Sequence, residues 1–390
     1  MLRCAVLDDR QRALAERIGV TRVARVTGLD RSGVEVACAV RPGGHVLQVS
    51  NGKGDSFAAA AWSALGEAAE LWAAERVDEA ELAWGTHADL ERSCAAWGPG
   101  ELGGGASGLV DSLGFLDSLR LAWVRGAELF SGEAVALLAQ AVHCPPPGSV
   151  SLGPVVLRWT SNGMGAHPDR EQALVHALLE AIERDQLARA LPDGITAREL
   201  QKRLIDVGDD RERLLPRTSA LLARLDRAGF QAHLIDVAPR GRGHLGLPVA
   251  GALLLDREQG PVPLSAGYAC RLGLDEAFHA ALLEAVQSRV TDVHGARDDI
   301  APMDPDEVGE MRDAIARVRS RRGVAAIGGG GKKSRAGAAE EPTGGALATI
   351  LARLSLAGIE RAAVVELGPP GIGLHIIKVV IPGFLVSGLL

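Results

Sequence analysis

The sequence predicts an α/β protein built of mixed α+β layers. Strand-like apolar runs and helical periodicities alternate along the chain instead of gathering into separate blocks. The 390 residues are 47% hydrophobic and 23% charged, a balance that supports a large core. Internal similarity recurs three times, each time as a small-residue turn leading into an apolar helix that carries acids.

The elements can be justified in chain order. "VEVACAV" (Val34–Val40) is a β-branched run without breakers, hence a strand. Apolar residues with a period near 3.6 predict a helix over about 56–76. "LRLAWV" (Leu119–Val124) is the next strand. Helices follow over about 169–190, 197–206 and 215–228. "QAHLIDV" (Gln231–Val237) and "VAGALLL" (Val249–Leu255) are strands, and helices are expected over about 275–292, 305–320 and 343–357. Gly323–Gly345 is rich in Gly, Lys, Glu and Ser, so a mobile loop is expected there. The end, "GIGLHIIKVVIPGFLVSGLL", is long enough to test as a membrane span. His375, Lys378 and the Pro382-Gly383 break speak against one and for a buried strand over His375–Ile381. The whole reads as one domain over residues 1–390.

Composition narrows the function. A net charge of −7 and 3% aromatics argue against a surface that neutralises phosphates and stacks bases. The five cysteines form no CxxC pair, so neither a zinc knuckle nor a disulfide framework is indicated. The N-terminus shows no apolar signal region, and a cytoplasmic location is expected.

The three repeats are "SNGKGDSFAAAAWSALGEAAELW" from Ser50, "SNGMGAHPDREQALVHALLEAIERD" from Ser161 and "AGYACRLGLDEAFHAALLEAVQSRV" from Ala266. Each helix carries E-A-x-[EQ]: Glu67/Glu70, Glu180/Glu183 and Glu284/Gln287. Residues three and four apart share a helix face, so Ser63, Glu67 and Glu70 align, as do His176, Glu180 and Glu183. A single Glu pair is ordinarily a solvated face. The apolar flanks and the duplication argue instead for a cleft wall. Two like charges ~4 Å apart repel by about 4 kcal/mol at an effective dielectric of ~20. Converging acids would need protons or cations between them, and Mg2+ shared with phosphate oxygens suits carboxylates. Arg184 reads either as a surface ion pair with Glu180 or as a fork for a phosphate or carboxylate.

These residues resemble the YcaO family. "SALGEAAE" (Ser63–Glu70) fits its S-x3-E-x2-E motif, and "EAIER" (Glu180–Arg184) fits its E-x2-E-R motif. Gly19–Pro42, Ser50–Gly54, Glu284–Asp299 and His375–Gly383 resemble further blocks of the stand-alone branch found beside TfuA-type partners. The resemblance implies a YcaO-like fold and ATP- and Mg2+-dependent activation of a peptide backbone amide. In such chemistry a nucleophile adds to the carbonyl, ATP phosphorylates the oxyanion, and phosphate leaves. Sulfide gives a thioamide, a Cys, Ser or Thr side chain an azoline, and an amine an amidine. The resemblance implies that Glu67, Glu70, Glu180 and Glu183 coordinate Mg2+ and that Ser63 and Arg184 contact nucleotide.

Three further residues are proposed beside it. Lys53 is a candidate phosphate contact or else a surface lysine. Arg297 is a candidate phosphate or substrate contact, or a partner of Asp298 or Asp299. Relatives commonly carry Gly-Asn and Glu where this chain has His167-Pro168 and Gln172, so one contact is lost, compensated or moved to Glu171. Azoline-forming members commonly end in a P-x-P-x-P tail, which "IPGFLVSGLL" is not, and this leans toward the thioamide. A peptide or protein substrate, a TfuA-like partner and a homodimer are expected, with no nucleic acid and no membrane. A non-catalytic scaffold is the alternative of another class. Two decoys are set aside. "GGGGKKS" (Gly328–Ser334) fails the Walker A spacing, and "HCPPPG" (His143–Gly148) reads as an extended connector.

Overall fold

The computed structural model describes residues 7–102, 115–208, 215–239, 243–295, 305–318, 322–323 and 345–385. In chain order the strands are β1 (Arg22–Arg25), β2 (Glu35–Val40), β3 (Val49–Gly54), β4 (Ala83–Gly85), β5 (Ala95–Trp97), β6 (Leu121–Glu128), β7 (Ala134–Leu138), β8 (Met164–His167), β9 (Ile205–Asp206), β10 (Phe230–Asp236), β11 (Val249–Asp256), β12 (Leu264–Cys270), β13 (Arg322–Gly323), β14 (Ala363–Glu366) and β15 (His375–Val380). One antiparallel sheet runs β1-β2-β3 and another β10-β11-β12. A larger sheet runs β5-β7-β6-β14-β15-β8, with β4 also on β6. Helices and strands are mixed throughout, as the alternating pattern predicts.

Three long helices carry the site. The Phe57–Ala74 helix starts at Ser56, whose Oγ accepts from the Ala59 amide at 3.3 Å. The Arg170–Ala190 helix starts at Asp169, whose Oδ1 accepts from the Gln172 amide at 2.9 Å. The Leu274–His294 helix has Asp275 and Glu276 in its first turn and stops at Gly295 in the left-handed region, φ 61°. Each packs on the strand just before it: β3, β8 and β12 respectively. Each also touches the strand of another unit. The first helix reaches β8, the second reaches β12, and the third reaches β3, so the three units close on one another.

The segments expected as turns before these helices are largely strand. "SNGKG" lies in β3, and "AGYAC" closes β12. In the second unit only Ser161–Gly163 turns, with Gly163 at φ 75°, before β8 begins at Met164. Glycine is the reason that small residues mislead here. A Cβ on Gly52 would run into the Ala60 carbonyl and the Ala64 amide. Gly165 stands in the same way against Ala173 and Ala177, and Gly267 against Ala281 and Ala285. Each strand lies backbone-close on its helix, which only glycine facing alanine permits.

That packing also corrects the alignment of the third repeat. Counting from the helix alanine under each glycine, Glu284 is level with Ser63 and His176, one turn before the position of Glu67 and Glu180. Sequence patterns also passed over the Asp9–Ile18 helix and strands β1, β4, β5, β7 and β14. Most of the glycine-rich linker, residues 324–344, lies outside the described residues, as does "GGGGKKS".

A buried ion network ties the first unit to the third. Arg289 of the third helix donates Nε to Asp30 and Nη2 to Asp256, both at 2.9 Å. Arg31 also pairs with Asp256, and both arginines lie over the Phe230 ring. Both acids are buried, so these pairs hold the units in one register.

Gly52→Ala is expected to destabilise the protein by about 1–3 kcal/mol through overpacking of the strand–helix seam. Urea unfolding against the native chain measures it.

Candidate active site: an acid-lined cleft

The three helices bring their acids to one place. The Glu70 carboxyl is pushed well above the ordinary range by burial, then by the charges of Glu180 and Glu67. Glu180 is raised by burial, with Glu284 adding to it and Arg184 and Lys378 opposing. Glu183 is raised to about 8 by burial, then by Glu284, with Glu180 contributing. Acids from three separate helices therefore act on one another. Glu70 accepts a hydrogen bond from the Ala166 amide of β8. Glu183 Oε2 accepts one from the Cys270 amide of β12 at 3.1 Å. The strand beneath each neighbouring unit thus fixes an acid of the helix beside it.

The acids line a cleft and are not sealed in a core. The Glu180 and Glu284 side chains remain 22% and 24% exposed, although the surrounding protein strips away enough water to shift Glu180. His176 shows the same combination. It is exposed, yet burial and then the nearby Arg271 and Lys53 push its pKa down to about 4. Groups enclosed on most sides and still reached by solvent sit on concave walls.

Basic groups face the acids. Arg184 lies 3.9 Å from Glu180 and 3.8 Å from Glu183, too long for hydrogen bonds, and its buried Nε has no partner. The Lys53 amine reaches Glu284 Oε2 at 3.0 Å. The Lys378 amine of β15 donates to the Thr160 and Asn162 carbonyls at 2.7 and 2.6 Å. Burial lowers it to about 8, while Glu180 and Glu70 hold it up.

The structure sorts the sequence-predicted residues. Glu67, Glu70, Glu180, Glu183, Arg184 and Lys53 come together. Ser63 is exposed, one turn before Glu67. Glu171 does not join them. It is exposed in the first turn of its helix and stands against Gly345 instead, two and a half turns from Glu180. Arg297 lies outside the described residues. Sequence reasoning set Glu284 in a repeat but not in the site, and it missed Lys378 as a site residue. A lone lysine inside "HIIKVVI" was the available signal, since a buried strand accepts a cation only with partners.

The sequence departures have local roles. His167 ends β8, and its Nδ1 accepts from the Asp169 amide at 3.0 Å. Pro168 stands just before the Asp169 cap, and Gln172 supplies the amide that the cap receives. His143 and Cys144 carry no activated thiol. Burial lowers His143 to about 4 and raises Cys144.

Among the described residues no three His, Cys, Asp or Glu groups stand close enough to enclose a metal ion by themselves. The acids instead face one another across the cleft. That suits Mg2+, which takes one or two carboxylates and completes its shell with water and phosphate oxygens. The unpartnered Arg184 Nε and the repelling acids both fit an anionic ligand carrying divalent cations.

Carboxylates from several helices beside basic side chains on a mixed α/β frame suit a phosphate-bearing ligand with Mg2+. The sequence model of YcaO cyclodehydratases, described as ATP- and Mg2+-binding, matches residues 51–385. The chain belongs to the YcaO family, and ATP and Mg2+ are that family's cofactors. An uncharacterized protein of Methanothermobacter thermautotrophicus is 32% identical over 289 residues, covering 72% of this chain and 68% of that one. An uncharacterized protein in the tfuA 3' region of Rhizobium leguminosarum bv. trifolii is 28% identical over 378 residues, covering 94% and 83%. The structure of YcaO from Methanopyrus kandleri bound with AMPPCP and Mg2+ shares the fold, with a TM-score of 0.66 at 21% identity over 96% of this chain and 88% of that one. No helix among the described residues is long and apolar enough to cross a membrane.

Glu183 holds its proton more tightly folded than unfolded. Its contribution to stability is therefore present at low pH and is lost as pH rises from about 4.5 to about 8. Glu183→Gln is expected to stabilise the metal-free protein at pH 8 and to change little at pH 4. Urea unfolding across that range reads the difference.

Proposed function

We propose that this chain activates a backbone amide of a bound peptide by phosphorylating its oxygen, and that the modification installed is a thioamide. The observation that carries the first part is the meeting of Glu67, Glu70, Glu180 and Glu183 from two helices, beside an arginine with an unpartnered Nε. The similarity to a protein of a tfuA region supports the second part and suggests a TfuA-like partner.

In this reading the four acids would hold Mg2+, and Arg184, held loosely by Glu180 and Glu183, would offer its fork to phosphate oxygens. When bound, ATP would supply the phosphoryl group that makes the amide oxygen a good leaving group, with Mg2+ offsetting the phosphate charge. Lys53 is tethered to Glu284 at the other side of the cleft, where it can exchange that carboxylate for a phosphate. The enclosing walls keep dielectric low, so each of these charges acts more strongly than in water.

Glu180→Gln is expected to reduce ATP turnover by about 100-fold or more while leaving the circular dichroism spectrum unchanged. Undiminished turnover would remove the acids from the mechanism. With a modified peptide in hand, mass spectrometry separates the products. Exchange of oxygen for sulfur supports the thioamide, whereas loss of water would establish an azoline in its place.

A further inference from the structure

Two histidines that the proposed function leaves unused are set opposite one another on the large sheet. His375 opens β15 and His167 closes β8, and the antiparallel register pairs them directly. Side chains of such a pair leave the sheet on the same face, with Cβ atoms about 5 Å apart. His167 is exposed and the His375 side chain is 43% exposed, so solvent reaches both.

Each ring is held through Nδ1. His375 Nδ1 lies 3.2 Å from Glu366 Oε1 on β14. An ionised carboxylate only accepts, so in the neutral ring this nitrogen carries the proton and Nε2 keeps its lone pair. Arg170 Nε stands 3.4 Å from Glu366 Oε2 and steadies that carboxylate. His167 Nδ1 lies 3.0 Å from the Asp169 amide and 3.3 Å from the Asp169 carbonyl. It accepts from the amide in one tautomer and donates to the carbonyl in the other. Among the described residues no hydrogen bond uses either Nε2.

Neither Nδ1 contact calls for a histidine. An Asn side chain would accept the Asp169 amide, and a Lys would pair with Glu366. What imidazole adds is a second nitrogen on the far side of the ring. A histidine whose Nδ1–H goes to a carboxylate or a backbone carbonyl is oriented as metal-ligating histidines are. Imidazole nitrogen suits Zn2+, Cu2+ and Ni2+, whereas Mg2+ prefers oxygen.

We propose that His167 and His375 form a two-histidine site for a zinc-class divalent ion, held through both Nε2 atoms at about 2.0–2.1 Å. Two ligands do not enclose an ion, so its remaining positions are open to water. Binding requires the His167 proton on Nδ1, where the Asp169 carbonyl receives it. His375 is already in the tautomer that binding needs. The ion would bridge β8 to β15 just before the Arg170–Ala190 helix begins, and so fasten the start of the helix that carries Glu180 and Glu183. The site uses none of the cleft acids and does not depend on their reading as Mg2+ ligands.

The test is calorimetric titration of the protein with ZnCl2 in excess MgCl2. The native chain is expected to bind Zn2+, and His167→Asn and His375→Asn each to weaken that binding by about 10-fold or more. Glu366→Gln should weaken it by about 10-fold without changing the stoichiometry, because it only orients His375. Native affinity in either histidine variant would overturn the proposal. So would binding that survives both histidine changes but is lost in Glu180→Gln, which would move the ion to the acid cleft. If a histidine variant fails to fold, the native protein loaded with Cu2+ decides by electron paramagnetic resonance. Nitrogen splitting from two imidazoles supports the site, and splitting from one or none overturns it.

Discussion

Repulsion among carboxylates that the fold forces together is the constraint on which the site depends. Glu70, Glu180 and Glu183 are each displaced upward by loss of water, and each is raised further by at least one other acid. A folded chain does not accumulate such unfavourable charge without compensation elsewhere. Here the compensation is visible in three places. Backbone amides of β8 and β12 donate to Glu70 and Glu183. Arg184 and Lys378 oppose the charge of Glu180. The cleft stays open to water, so cations and their ligands can enter.

The same constraint explains the unusual helix composition. The Phe57–Ala74 helix buries Ala60, Ala61, Ala64, Ala68, Ala69, Ala73 and Ala74. Alanine on that face lets glycine-bearing strands approach until backbone meets backbone. Close approach brings strand amides within reach of helix carboxylates, as the Ala166–Glu70 bond requires. Larger side chains would bury more apolar area but would hold the strands too far away. The acids and the small residues beneath them are therefore one device.

Much of this was legible in the sequence, for identifiable reasons. The long helices announced themselves because seven-residue and longer apolar periodicities leave little choice, and the observed ends fall within a few residues of those expected. The acid motifs pointed to a shared cleft because Glu among Leu, Ile and Ala is costly unless it has company. What the sequence hid followed from tertiary contact. "SNGKG" looks like a turn because Ser, Asn and Gly favour turns locally, and only the helix lying against Gly52 makes it a strand. Spacing alone aligned Glu284 with Glu180, while the glycine contacts move it by one turn. Glu171 is near the acid motif in sequence, but the helix sets it two and a half turns from Glu180, against Gly345. Lys378 was read only as a residue unsuited to lipid, since nothing local shows which carbonyls a strand lysine will meet.

The mutual closure of the three strand–helix units bears on how the chain comes to exist. The third helix, ending at His294, must lie against β3, which ends at Gly54, before the ring is complete. Ribosomes deliver the chain from its N-terminus, and the long-range seam waits for the last of these segments. Between the completion of the second helix at Ala190 and of the third at His294, the nascent protein therefore presents an unclosed groove of acids and bare alanine backbone. Until the third helix docks, the unpaired surface it will cover is open to any other exposed strand edge.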